Sequence, residues 1–394
     1  MSKTYGYLMA SKNLSSIEIL EKLISFPTIS KTPNIELINW VSELLGSFGI
    51  RSTILRNEDG SRANLFATSS DTLEPGIMLS GHTDVVPTDG QNWHTNPFEL
   101  KQSGGKLFGR GTADMKGFCA SAIRIMCEAS KKKLNTPLHL ALSFDEEIGC
   151  IGVRSLIEML KTSPVKPKMC IVGEPTLLAV ASGHKGKIAL QTTCKGIEGH
   201  SALAPLALNA IHLGTDFVNI VREVQKEIIN KGNEDNDYDV PYTTLHVGKM
   251  NGGVALNIVP NICTIDWEIR NLANDSTETI LTRVKELVEL KLQEYKNPEA
   301  EIFWQETFSY PGLGTDINSE IINFVRSLTG TNNTIKVAFG TEGGLFHKEV
   351  GIPTVVCGPG SMLQGHKPNE FITVEQMDRC DLMMANLLSS LKEK

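Results

Sequence analysis

Nowhere among the eight cysteines of this 394-residue chain do two stand in a C-x-x-C pair. Scattered singly, they argue against a thiolate-zinc site and against a disulfide framework. They fit reduced, buried thiols in a cytoplasmic chain. Long apolar runs are missing too: no stretch approaches the roughly 18 residues of a membrane span, so no membrane partner is expected. The opening "MSKTYGYLMASKN" lacks the apolar block of a secretory leader. Basic charge is short: 38 Lys and Arg face 45 Asp and Glu, a formal net charge of −7. The longest basic run is "KKK" at 131–133, a natural partner for a helix C-terminus. Nucleic acid wants clustered positive charge and is not an expected partner. Neither G-x-x-x-x-G-K-[ST] nor G-x-G-x-x-G follows a strand, which removes the phosphate-loop and dinucleotide readings. There is no internal repeat and no low-complexity tract.

What remains is ordinary globular material, 41% hydrophobic and 21% charged, long enough for two or three domains. "SSIEILEKLISF" (15–26) and "NIELINWVSELLGSFG" (34–49) carry helical apolar spacing, the second ending on Gly49 as a C-terminal cap should. Short apolar runs follow at 76–80, 138–144, 169–173 and 352–358, with helical patterns such as 115–133 and 153–160 between them. This predicts an α/β fold with a mostly parallel central sheet flanked by helices. Between 184 and 307 the pattern becomes β-α-β-β-α-β, an inserted ferredoxin-like α+β domain. The expected organisation is therefore a catalytic domain in two parts, 1–183 and 308–394, interrupted by a domain over 184–307.

Ligands of open α/β sheets gather at the carboxyl ends of the strands. At those ends stand His82, Asp145-Glu146-Glu147, Glu174 and the glycine-rich loop carrying His366. "GRGTADMKG" adds Asp114 through a tight turn. Imidazole and carboxylate without thiolate suit Zn²⁺ in a catalytic site. Two histidines and three carboxylates are too many for one tetrahedral ion and about right for two ions roughly 4 Å apart. Asp114, short and in a tight loop, is the natural bridge. Asp84 is expected to accept the second ring N–H of His82. In an extended backbone Glu146 and Glu147 point apart, which assigns Glu147 as a ligand and Glu146 as general base.

Each motif has a plainer meaning alone: H-x-D a polar loop, E-E a solvated helix start, G-E-P a turn. Their convergence on successive strand ends outweighs those meanings. His94, His139, His212 and His246 need no ligand role, and "NWHTNPFEL" is expected to pack. "GHSAL" at 199–203 nearly spells a nucleophile elbow, but Leu203 replaces the final glycine and Ser201 falls in the inserted domain. A non-enzymatic binding scaffold would be marked by a missing ligand or base, and none is missing.

"SGHTDVVP", "GRGTADMKG", "FDEEIG", "GEPT", "GHSA" and "GPGSMLQGHKPNEF" together resemble the dinuclear-zinc amidohydrolase and peptidase family, from about residue 15 to the C-terminus. The resemblance implies two Zn²⁺ per subunit, with Co²⁺ a possible substitute: His82 and Glu174 on one ion, Glu147 and His366 on the other, Asp114 between. It implies that the inserted domain is a lid and the seat of a homodimer, from which His200 reaches the partner's site to stabilise an oxyanion. Asn257 and Arg270 match substrate-contacting positions, and Thr341-Glu342 a substrate-side loop in which Glu342 could pair with a cationic side chain. "GRGTADMKGF", "NGGVALNIVP" and "FGTEGGLF" are nearest to the members that hydrolyse N-acetylornithine to ornithine and acetate, a step of arginine biosynthesis. Desuccinylation, or hydrolysis of other N-acyl amino acids, is the alternative.

Overall fold

In the computed structural model, which describes residues 14–70 and 74–392, the four apolar runs are strands: Ile77–His82, Leu138–Ser143, Met169–Pro175 and Thr354–Gly358. Every residue in them is buried, as strands covered on both faces must be. Ile77–His82 pairs in parallel with Leu138–Ser143 on one side and with Met169–Pro175 on the other. Met169–Pro175 pairs in parallel with Thr354–Gly358.

The margins of this nine-stranded sheet run the other way. Ser52–Arg56 and Ala63–Thr68 form an antiparallel hairpin laid antiparallel on Leu138–Ser143. Val180–His184 is antiparallel to Thr354–Gly358. The sheet is thus mixed, parallel only at its centre. Short connections such as 57–62 cannot carry a crossover, so strands joined by them return antiparallel.

Local chemistry sets the helix ends. Ser15 begins the first helix, Ser16–Ile24, with a capping box: its Oγ accepts from Glu18 N at 3.2 Å while Glu18 Oε2 accepts from Ser15 N at 2.8 Å. The second, Ile35–Ser47, stops two residues before Gly49, which takes a φ of +78°. Lys116–Ala129 is buried at nearly every position and packs beneath the sheet's central strands.

The chain divides into two compact units, one running to Gly183 and resuming over Leu313–Lys336 and from Thr341, the other His184–Gly312 with Val337–Gly340. The second unit has the β-α-β-β-α-β order expected of it. Its sheet, entirely antiparallel, runs Thr244–Gly252, Ile262–Arg270, Lys187–Lys195, Glu301–Tyr310, and its helices are Ala210–Lys231 and Thr277–Tyr295. Phe217, Ile265, Trp267 and Val284 belong to the core between sheet and helices. Ahead of the first of these helices, Ser201–Leu206 is a separate 3₁₀ turn containing Pro205. Among the described residues no helix is long and apolar enough to cross a membrane. All eight cysteines are free and buried.

Candidate metal centre

The parallel strands of the first unit deliver their carboxyl ends to one edge, and each site residue arrives by a visible route. His82 is the last residue of its strand, and Glu174 the next to last of another. Gly173 lets that second strand lie against the Lys116–Ala129 helix: a Cβ there would sit 1.9 Å from the Phe118 ring. Asp114 precedes the same helix, and its peptide to Met115 is cis. Glu146 and Glu147 stand in the turn after Leu138–Ser143, closed by Gly149 N and Cys150 N donating to Glu146 O. The backbone there is a turn rather than extended, yet the two carboxylates do diverge.

Asp114 lies at the middle. Its Oδ1 is 3.1 Å from His82 Nε2, and its Oδ2 is 3.2 Å from His366 Nε2. Glu147 Oε2 is 2.9 Å from His366 Nε2, and Glu174 Oε1 is 3.6 Å from His82 Nε2. One carboxylate therefore addresses two imidazoles, each with a further carboxylate beside it. Glu146 joins His82 and Glu174 in a second group whose ligand atoms lie within 4.8 Å of one another; His82, Asp114 and Glu147 form the first. Glu146 Oε1 also accepts from Cys150 Sγ at 3.3 Å.

The donor set fits cations. His82 Nδ1 lies 2.9 Å from the Asp84 carbonyl, an acceptor only, so the ring proton belongs on that nitrogen. In the neutral ring, Nε2 then turns a lone pair toward carboxylate oxygens, which is repulsive unless a proton or a metal lies between. The same crowding raises proton affinity across most of the site. Burial, then the neighbouring carboxylates, push Glu146 and Glu174 well above the usual range, and Glu147 up to about 7. Burial works to lower His82, but Glu174, Asp114, Asp84 and Glu146 together hold it well above an ordinary imidazole. Hydrogen bonds to Asp114 and Glu147 raise His366 to about 10. For Asp114, burial is outweighed by the bonds from His366 and His82, which hold it below the carboxylate range. Excess buried negative charge around imidazole is what a divalent cation relieves.

Asp84 differs from expectation. It is the backbone carbonyl that meets His82 Nδ1 closely; the nearer carboxylate oxygen is 3.6 Å away. The carboxylate instead accepts from Ser30 Oγ at 2.7 Å, Glu146 N at 3.0 Å and Glu147 N at 3.3 Å, bracing the acidic turn. Thr341 and Glu342, expected beside substrate, are 0% and 1% exposed. Thr341 Oγ1 accepts from Gly343 N at 3.0 Å, and Glu342 Oε2 from Ser80 Oγ at 3.3 Å. Both are interior groups and present no surface to a ligand.

In the second unit, Gly199–His200 and Ile258–Val259 form a short antiparallel ribbon. It sets His200 beside Asn257, both exposed, with Ser201 N donating to Asn257 O at 3.0 Å. His200 Nδ1 accepts from Ala202 N, capping the 3₁₀ turn. Arg270 is half-buried, bonded through Nε to Glu268 at 2.9 Å and through Nη1 to Tyr310 at 3.1 Å. Elsewhere, His94, His212 and His246 are exposed, and His139 is buried against Phe66 and Thr68. "NWHTNPFEL", expected to pack, is instead half-buried to exposed throughout, with Trp93 set 5.0 Å from the Arg110 guanidinium. Arg110, Gln91 and Glu370, which no motif in the sequence marks as functional, surround the Asp114 and His366 loops with hydrogen bonds. Only their place in "GRGTADMKG", beside "NWH" and in "HKPNEF" pointed to them.

An α/β sheet whose strand ends gather two imidazoles and four acidic side chains defines a metal-dependent hydrolase. The profile of peptidase family M20/M25/M40 matches residues 78–390, and the chain belongs to that family. It is 32% identical over 388 residues to an acetylornithine deacetylase of Pasteurella multocida, covering 98% of this chain and 96% of the relative. A Myxococcus xanthus protein of the same name is 30% identical over 377 residues, covering 94% and 96%. Among solved structures, an M20 family metallo-carboxypeptidase of Sulfolobus solfataricus superposes with a TM-score of 0.75 at 19% identity, covering 95% of this chain and 98% of that one.

Proposed function

We propose that this chain hydrolyses the N-acetyl group of N-acetylornithine, yielding ornithine and acetate. The observation that carries the hydrolytic reading is Asp114, whose two oxygens face His82 and His366 separately while Glu146 stands alongside. Relatives named acetylornithine deacetylase over nearly the full length support the substrate. His82 and Glu174 would hold one Zn²⁺, Glu147 and His366 the other, with Asp114 shared; Co²⁺ accepts the same donors. Such a pair, when bound, polarises an acyl carbonyl and makes water acidic enough to attack near neutral pH.

The chain's own groups do the rest. Glu146, buried beside His82 and Glu174, takes a proton from the attacking water and returns it to the leaving amine. The Cys150 thiol and the turn braced by Asp84 hold that carboxylate in place. Asp84 O fixes the His82 tautomer. His200, Asn257 and Arg270 are assigned to substrate, His200 as a donor to the developing oxyanion. Thr341 and Glu342 act from inside the fold rather than by contact.

A homodimer through the second unit forms part of this reading. Leu203, Leu206, Val254 and Leu256 stand more than half exposed there, Leu256 fully, as apolar side chains awaiting cover do. The free thiols and the bacterial biosynthetic relatives support a cytoplasmic enzyme.

The test is a panel of N-acyl amino acids incubated with Zn²⁺-loaded protein, with released acetate or succinate measured. N-acetylornithine should have the highest kcat/KM. Preference for an N-succinyl or acidic substrate would overturn the ornithine assignment in favour of desuccinylation or broader aminoacylase activity. Resistance to chelators combined with inactivation by a serine-directed phosphonate would overturn the metal-dependent mechanism itself.

A further inference from the structure

Arg110 and Glu370, each 1% exposed, form an ion pair at 2.8 Å that the proposed chemistry does not use. Glu370 Oε2 accepts from Arg110 Nη1 and, at 3.1 Å, from Gly111 N. Its Oε1 accepts from Ala113 N at 2.9 Å and Asp114 N at 3.1 Å. Three peptide groups of the Asp114 loop thus end on one buried carboxylate. From the guanidinium the bonds continue: Nη2 donates to Gln91 Oε1 at 2.6 Å and Nη1 to Lys367 O at 3.3 Å. Gln91 Nε2 then donates to His366 O at 3.0 Å.

A small sheet closes the circuit from behind. Phe371 pairs with Phe108, and Gly109 N donates to Glu370 O at 3.0 Å. Gly111, with a φ of +86°, leaves room for the turn, since a Cβ would meet Val85 at 2.7 Å. The peptide of Asp114 and the carbonyl of His366 are therefore tied by an unbroken hydrogen-bonded chain through Glu370, Arg110 and Gln91. Burying an ion pair is a poor route to stability, because desolvation offsets most of the attraction. What such a pair does well is aim the groups bonded to it.

We propose that Glu370, with Arg110 and Gln91, is a positioning clamp that fixes Asp114 relative to His366 and thereby sets affinity for the metal pair. It rests on the metal reading given above. Glu370→Gln keeps the shape but turns an amide N–H toward donors whichever way it flips. Because Asp114 faces both imidazoles, loosening it should weaken both ions; loosening Gln91 should disturb only the His366 side.

The experiment titrates metal-free protein with Co²⁺, followed by calorimetry and by visible absorption, at a temperature where every variant is folded. Wild type should take two ions. Glu370→Gln should weaken both steps by about 10- to 100-fold, and Gln91→Ala only one. Leu328→Ala, a buried change in the Glu320–Thr329 helix, should lower the melting temperature and leave both affinities unchanged. A folded Glu370→Gln protein binding both ions within twofold of wild type would reduce the clamp to a structural pair. Should that variant not fold, unchanged affinities in Gln91→Ala would overturn the proposal alone. Wild type failing to bind two ions would sink the metal reading first, a result independent of the variants.

Discussion

Glu146 and Glu147 are adjacent in sequence yet meet different partners, Cys150 for one and His366 for the other. On the proposed reading, that divergence leaves one carboxyl to carry a proton while its neighbour serves as a ligand. Glu146→Gln removes the proton carrier without changing size. It is expected to bind metal as wild type does while kcat falls about 10²- to 10⁴-fold, measured by metal analysis alongside turnover. An active, metal-loaded variant would assign the base elsewhere. That His82, Asp114, Glu147, Glu174 and His366 lie together was legible in the sequence, because each follows an apolar run or a glycine-marked turn. The contacts of Asp84 were not, since H-x-D spacing does not reveal whether carboxylate or carbonyl faces the ring. The pairing of Glu370 with Arg110 was not legible either, because it exists only once two distant loops touch.

At the scale of elements, the four parallel strands could be read because burial on both faces leaves unbroken apolar runs. The marginal strands could not: "STILR" at 52–56 is half exposed, and "VASGH" at 180–184 is short and rich in small residues. The element that hides a titratable group also sets an acid limit. His139, in the Leu138–Ser143 strand, is pushed down to about 4 by burial. An unfolded histidine titrates near 6.5. As pH falls from 6.5 the unfolded chain takes up a proton that the folded strand refuses, so stability falls until about pH 4 and then levels. The loss is at most about 3 kcal/mol. His184, also pushed down to about 4 by burial, adds a like contribution, so denaturant unfolding at a series of pH values should show the slope and His139→Gln should reduce it. An unchanged slope would place the acid sensitivity on other groups. Gly173→Ala, whose new methyl would strike Phe118, should cost about 1–3 kcal/mol and displace Glu174, read as lower melting temperature with weaker metal binding.

The whole molecule combines a mixed-sheet unit holding the donors with a β-α-β-β-α-β unit that exposes several apolar side chains. In the sequence the hydrophobic period changes from unbroken runs to alternation near Lys187. That Leu203, Leu206, Val254 and Leu256 are exposed was not readable, since exposure is a property of the fold. Sedimentation should give a dimer for wild type, and Leu256→Asp should shift it toward monomer; a wild-type monomer at micromolar concentration would remove the dimer from the account. The most direct test of the central claim is a crystal of the protein grown with Zn²⁺ and measured for anomalous scattering. Two peaks flanking the Asp114 carboxylate, one beside His82 and Glu174 and one beside His366 and Glu147, are expected. No peak there, or a single ion bound away from Asp114, would contradict it.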